Sequence, residues 1–186
     1  MTDTLPTDAV GSAYFLDFET GAERRATFAV IVANEPGVLA RVVGLFSARG
    51  YNIESLTVAE TDHAVHTSRI TIVTRGREGV LAQIKAQLGK IVQVRQVFEV
   101  GGDPRWVERE LALVKVRGTG EHRVEALRIA EIFRARVIDT GTDSFVFELT
   151  GAPDKIDKFE TLMRPLGLVE VSRTGVLSIA RGAERV

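Results

Sequence analysis

The sequence of 186 residues contains no cysteine. This excludes a disulfide framework, a thiolate metal site and a cysteine nucleophile, and it points to an intracellular, cytoplasmic protein. A dominant charge is missing as well. Twenty-four Lys and Arg stand against 25 Asp and Glu, a formal net charge of -1, so no global field draws the chain to nucleic acid or to an anionic membrane. No apolar run approaches the roughly 18 residues of a transmembrane helix. Residues 1–25 are mixed and acidic-leaning, without the basic stretch and apolar core of a signal peptide. Histidine is scarce, and none lies near a patterned serine. With no carboxylate pair at catalytic spacing, no nucleophile, base and orienting group can be assembled, so no catalytic residue is expected. His63 and His66 lie in a turn without a patterned carboxylate or thiol, which favours a solvated hairpin over a metal site. Arg75, Arg77, Arg123 and Arg128 lack the adjacent strand aromatics that stack bases, and they read as a charged face.

What is present is an apolar fraction of 45%, ample for a core, in a regular alternation of periods. Residues 1–25 are expected to form a flexible arm, in which Ala13-Tyr14-Phe15-Leu16 could dock on a neighbour. Thr27 to Ala33 reads as a buried strand, and Leu39, Val42, Val43 and Phe46 then recur at helical spacing. Strands over Asn52–Thr61 and Thr67–Thr74 enclose the turn at Asp62–Val65. In the second of them Ser68, Ile70, Ile72 and Thr74 share one face, and Arg69, Thr71 and Val73 share the other. A helix over Glu78–Leu88 and a strand over Ile91–Val100 complete the order βαββαβ, the ferredoxin-like arrangement. Gly101-Gly102-Asp103-Pro104 opens a linker over 101–106.

The same order then repeats in residues 107–186. Strands are expected at Arg109–Arg117, Val137–Thr140, Ser144–Leu149 and Leu168–Ser172, with helices at Arg123–Phe133 and Asp154–Arg164, the latter capped by Asp154. Gly118-Thr119-Gly120 reads as a turn rather than a phosphate loop. Gly175–Ala180 is a further strand that would complete an edge or pair with another chain. The fold class is therefore α+β, two ferredoxin-like domains in tandem, at 26–100 and 107–186.

The stretch with most chemistry is the corner Asn34-Glu35-Pro36-Gly37-Val38-Leu39. Pro36 suits a first helical position and Gly37 permits close backbone approach. The first-turn amides of Gly37, Val38 and Leu39 lack intrahelical acceptors, so they suit a small anion such as the carboxylate of an amino acid. A side-chain carbonyl of Asn34 or Asn52 would accept from the ammonium, and Val38, Leu39 and Ile53 would favour an aliphatic side chain. The alternative is that Asn34 caps the helix and Asn52 supports a turn.

The run from Asn34 to Arg41, followed by Gly44 to Val58, closely resembles the regulatory small subunits of acetolactate synthase. Ser68 to Val73, Val107 to Lys115, Arg173 to Val176 and Arg181-Gly182 fit the same family. The resemblance implies an amino-terminal ACT domain that pairs between chains into a homodimer and binds valine at the interface. Asn34, Gly37, Val38 and Leu39 would come from one chain, Asn52 and Ile53 from its neighbour. It further implies a non-catalytic chain that activates a catalytic large subunit and confers feedback inhibition by valine in branched-chain amino acid synthesis. Thiamine diphosphate, magnesium and FAD would then belong to that subunit, with no cofactor in this chain. Two other readings stay open: an ACT-domain sensor with no synthase partner, and a small enzyme with a site in the carboxy-terminal half.

Overall fold

The computed structural model describes residues 21–183. Most of the expected amino-terminal arm, including Ala13–Leu16, lies outside the described residues. Strand β1 (Arg24–Ala33) leads to helix α1 (Val38–Ala48), then to strands β2 (Ile53–Asp62) and β3 (Thr67–Gly76), helix α2 (Glu78–Leu88) and strand β4 (Val94–Val100). The four strands form one antiparallel sheet in the order β2-β3-β1-β4. Period-2 alternation turns Phe28, Val30, Ile70 and Ile72 toward α1 and α2. There they meet Val42, Phe46, Leu81, Ile84 and Leu88 in a dry core. Ile91 belongs to the turn after α2, its amide bonded to Leu88, so β4 starts later than the apolar pattern suggests.

The end of α1 is a Schellman motif. Gly50 occupies the left-handed position with φ +67°. The amide of Tyr51 reaches the carbonyl of Phe46 at 3.0 Å, and that of Gly50 reaches Ser47 at 3.2 Å. The rings of Phe46 and Tyr51 close the motif edge to face at 6.1 Å. The chain is thereby turned into β2 with Asn52 exposed and Ile53 packed against the core.

The second half repeats the plan with strand β5 (Trp106–Arg117), helix α3 (Gly120–Phe133), strands β6 (Arg136–Thr140) and β7 (Ser144–Gly151), helix α4 (Pro153–Met163), a 3-10 turn at Arg164–Leu166 and strand β8 (Leu168–Arg173). Its core joins Val114, Phe145, Phe147, Phe159 and Met163. Pro153 takes the first position of α4 and Ala152 the cap, so the expected cap at Asp154 is corrected: Asp154 lies in the first turn, where its charge suits the helix dipole. Gly120 is the first residue of α3, which therefore begins before Arg123.

Strand β9 (Leu177–Ala180) pairs with Trp106–Arg109, the amino-terminal part of β5, while the rest of β5 pairs with β7 and β8. This two-stranded ribbon lies over the face of the first sheet that the helices leave free. Val176 donates to Ser55 Oγ at 3.3 Å, Thr57 Oγ1 donates to the carbonyl of Val176 at 3.3 Å, and Arg69 Nη2 donates to the carbonyl of Ser178 at 2.8 Å. Thr27, Ala29, Thr71 and Val73 are buried on this face.

Candidate functional site

The corner after β1 is a tight turn rather than a helix entry. Val38 donates its amide to the carbonyl of Glu35 at 3.3 Å, and Gly37 has φ +86° and ψ -7°. Pro36 and Gly37 thus hold the two central places of a type II turn, in which the second residue requires positive φ. Two expectations are corrected. Pro36 precedes the helix instead of opening it, because α1 starts at Val38 with Gly37 as its cap. Asn34 is not the cap, since no side chain caps α1.

The turn also decides which amides are free. The Val38 amide is used in closing it and the Val38 side chain is buried in the core. The amides of Gly37, Leu39 and Ala40 carry no backbone bond and lie at the positive end of the α1 dipole, where an anion is favoured by about 0.3 to 1 kcal/mol. Gly37 is exposed, and a Cβ added to it would meet nothing within 4 Å. Leu39 is 42% exposed and places an apolar surface beside these amides.

Asn34 is held from the β2–β3 hairpin. Its amide donates to the carbonyl of His66 at 2.7 Å, and its side chain lies near enough to Glu60 to favour the charged carboxylate. The Glu60 carboxylate also pairs with His63 Nδ1 at 2.9 Å and His66 Nδ1 at 3.5 Å. Loss of hydration pushes the Glu60 carboxyl up; Asn34, His63 and His66 together more than offset this and hold it below its ordinary value. A carboxylate is acceptor-only, so the group Asn34 can offer Glu60 is its NH2, which leaves the side-chain carbonyl to another donor. Glu60 is a participant that the sequence did not reveal, because its connection to Asn34 runs across strand pairings. Both histidines are exposed in the hairpin. Among the described residues, no group of three or more His, Cys, Asp or Glu is arranged to hold a metal ion.

Asn52 and Ile53 are not brought to this corner within the chain. Strands β1 and β2 both run antiparallel to β3. Ala33 is level with Thr67, whereas Ile53 is level with Thr74. A strand length of roughly 23 Å separates the corner from Asn52. The carbonyl of Asn52 accepts from Thr74 Oγ1 at 2.6 Å, leaving its side chain exposed at the start of the edge strand β2.

Residues 28–96 match the sequence model of the AHAS small subunit-like ACT domain, and residues 109–182 that of the small subunit of acetolactate synthase. The chain is 46% identical over 159 residues to a probable acetolactate synthase small subunit of Archaeoglobus fulgidus, covering 86% of this chain and 98% of the relative. The chain belongs to the acetolactate synthase small-subunit family. Another small subunit of the family, that of acetolactate synthase isozyme 3 from Salmonella typhimurium, is 48% identical over 159 residues, covering 85% of this chain and 96% of its own. The crystal structure of the acetolactate synthase small subunit from Thermotoga maritima has a TM-score of 0.75 and 36% identity, covering 87% of this chain and 99% of that one. The first sheet with α1 and α2 is accordingly an ACT domain, and the α+β class of the whole chain agrees with that crystal structure. Among the described residues, no helix of this small-subunit family member is long and apolar enough to cross a membrane.

Proposed function

We propose that this chain is the regulatory subunit of an acetolactate synthase, which it activates and renders sensitive to valine. The carrying observation is the exposed type II turn at Glu35–Val38, with free amides at Gly37, Leu39 and Ala40 and the exposed Asn34 beside it. Amides for a carboxylate, a carbonyl for an ammonium and Leu39 for an aliphatic side chain together match a small apolar amino acid. The separation of roughly 23 Å from Asn52 favours completion by a second copy. If two β2 edges pair antiparallel about a two-fold axis, the start of one β2 lies beside the end of the other. Asn52 and Ile53 of each protomer then approach the other's corner, giving two equivalent sites in a homodimer.

Thiamine diphosphate, magnesium and FAD would reside in the catalytic large subunit, which performs the chemistry in the cytoplasm. This chain would act through the equilibrium between a resting and an active state of that partner: it binds the active state better, and valine reduces the preference. Each effect is a coupling free energy of about 1 to 3 kcal/mol. The test is a titration of catalytic subunit with this chain, following acetolactate formation with and without valine, alongside calorimetry of the chain alone. Activation that valine reverses, with micromolar binding equivalent to about -8 kcal/mol, is the expected outcome. Heat with valine but no effect on the synthase would instead favour a free-standing sensor. Absence of heat with valine, leucine and isoleucine would overturn the reading of the corner.

A further inference from the structure

Away from the corner, a cavity of about 410 Å³ lies between the first sheet and the β5–β9 ribbon. Its apolar walls come from Ala59 of β2, Val107 of β5, and Leu177 and Ile179 of β9. Those last two are 56% and 66% exposed, so they form its rim. Two guanidinium groups, Arg69 and Arg109, also line it, and no acidic side chain does.

Both cations are underused. Arg69 makes one hydrogen bond, to the carbonyl of Ser178 at 2.8 Å, and Arg109 makes one, to the carbonyl of Glu108 at 2.7 Å. Neither has a carboxylate partner among the described residues. A guanidinium carries five N–H donors, so most of this capacity is unspent. Burial alone displaces the Arg69 pKa downward, the direction expected of a cation that has lost water without gaining a counter-charge.

We infer that this cavity is a second binding site, for a small aliphatic carboxylate whose anionic end is held by Arg69 and Arg109 while its hydrocarbon part lies against Ala59, Val107 and Leu177. The charge is complementary because the lining offers cations without acids, and a carboxylate can accept from both guanidinium groups at once. The apolar walls favour an organic anion over phosphate, which would leave them against charged oxygen. The inference does not depend on the reading of the corner.

The test uses the full chain with 3-methylbutanoate as probe and 3-methylbutanamide as its uncharged counterpart, each titrated calorimetrically with and without saturating valine. The acid is expected to bind with a Kd on the order of 1 mM or tighter, at least tenfold more tightly than the amide, and equally well in the presence of valine. Arg69→Gln should weaken it at least tenfold and the exposed Arg109→Gln at least threefold. Unchanged affinity in both variants would overturn the proposal, as would equal binding of acid and amide, displacement by valine, or no saturable binding at all.

Discussion

The two halves share a βαββαβ order yet furnish the turn after their first strand differently. After β1 the chain makes a type II turn through Pro36 and Gly37 and leaves three amides free beside Asn34. After β5 the equivalent place is closed. Gly118 donates to the carbonyl of Asp143 at 2.8 Å, and a Cβ placed on it would lie 3.2 Å from the carbonyl oxygen of Leu166 and 3.3 Å from the Cβ of His122. Arg117 pairs with Asp143 at 2.9 Å, and Arg123, half-buried rather than on an exposed charged face, stacks over Phe145 at 4.0 Å. One topology thus carries an open corner and a filled one, which shows that the fold fixes where a site can form and local sequence fixes whether it does. The outer faces differ too. The ribbon buries Ala29 and Val73 behind the first sheet, whereas Leu111, Leu113 and Val146 on the corresponding face of the second are only half-buried.

The strongest way to break this contrast is to place the same change in both corners. Gly37→Asp should lower valine affinity at least a hundredfold by calorimetry, because it sets a carboxylate against the carboxylate of the ligand. Gly120→Asp, at φ +55°, should leave affinity within twofold. Each should cost about 1 kcal/mol of stability from left-handed backbone strain alone. Equal losses of affinity would mean that the open corner is not the site.

Gly175→Ala tests the covering of the first sheet. At φ +83°, an added Cβ is strained by its backbone and would lie 2.3 Å from Ser55 Oγ, so Ser55 must rotate and give up the bond it accepts from Val176. Urea unfolding should show a loss of about 1 to 3 kcal/mol, partly restored by Ser55→Ala. An unchanged midpoint would show that the ribbon contributes little.

Asn52→Ala sharpens the idea of a site shared between protomers. It should reduce valine affinity about tenfold and leave stability within about 0.5 kcal/mol, since only the Asn52 carbonyl is used in the fold. Mixing Asn52→Ala chains with Gly37→Asp chains should restore one normal site per mixed dimer. Failure of that complementation, with dimers verified by mass, would place both groups in one protomer's site.

The smallest effect concerns Glu60. Its carboxyl is held low in the folded chain, so its negative charge beside Asn34 is complete above the ordinary carboxylate range and is lost as pH falls through the lowered value. Valine affinity should therefore fall about threefold at the acid end for the natural chain. Glu60→Ala should show that loss at neutral pH and little further change on acidification. Parallel pH profiles for the two proteins would remove Glu60 from the account.

Much of this fold was legible because its faces differ in polarity at regular spacing. In β3 the alternation of Ile70 and Ile72 with Arg69 and Thr71 gave both the strand and its orientation, since helices cover one side and the polar ribbon contacts cover the other. Boundaries were less legible. Pro36-Gly37 suits a helix start and a type II turn equally, and the hydrogen bond from Val38 to Glu35 separates them. The corner residues were readable as a motif. Their partner Glu60 was not, because nothing in its own neighbourhood marks it.

By itself the sequence determined the element order, the two apolar cores and the position of the corner, all consequences of local periodicity and of Gly and Pro at fixed places. Only the tertiary structure decided that β9 returns to β5, that this ribbon covers the ACT sheet, that Arg69 and Ser178 meet at a cavity, and that Asn34 and Asn52 stand at opposite ends of the sheet. The physical reason is that these arrangements join residues far apart in the chain through strand pairing and burial, whose partners no local pattern specifies.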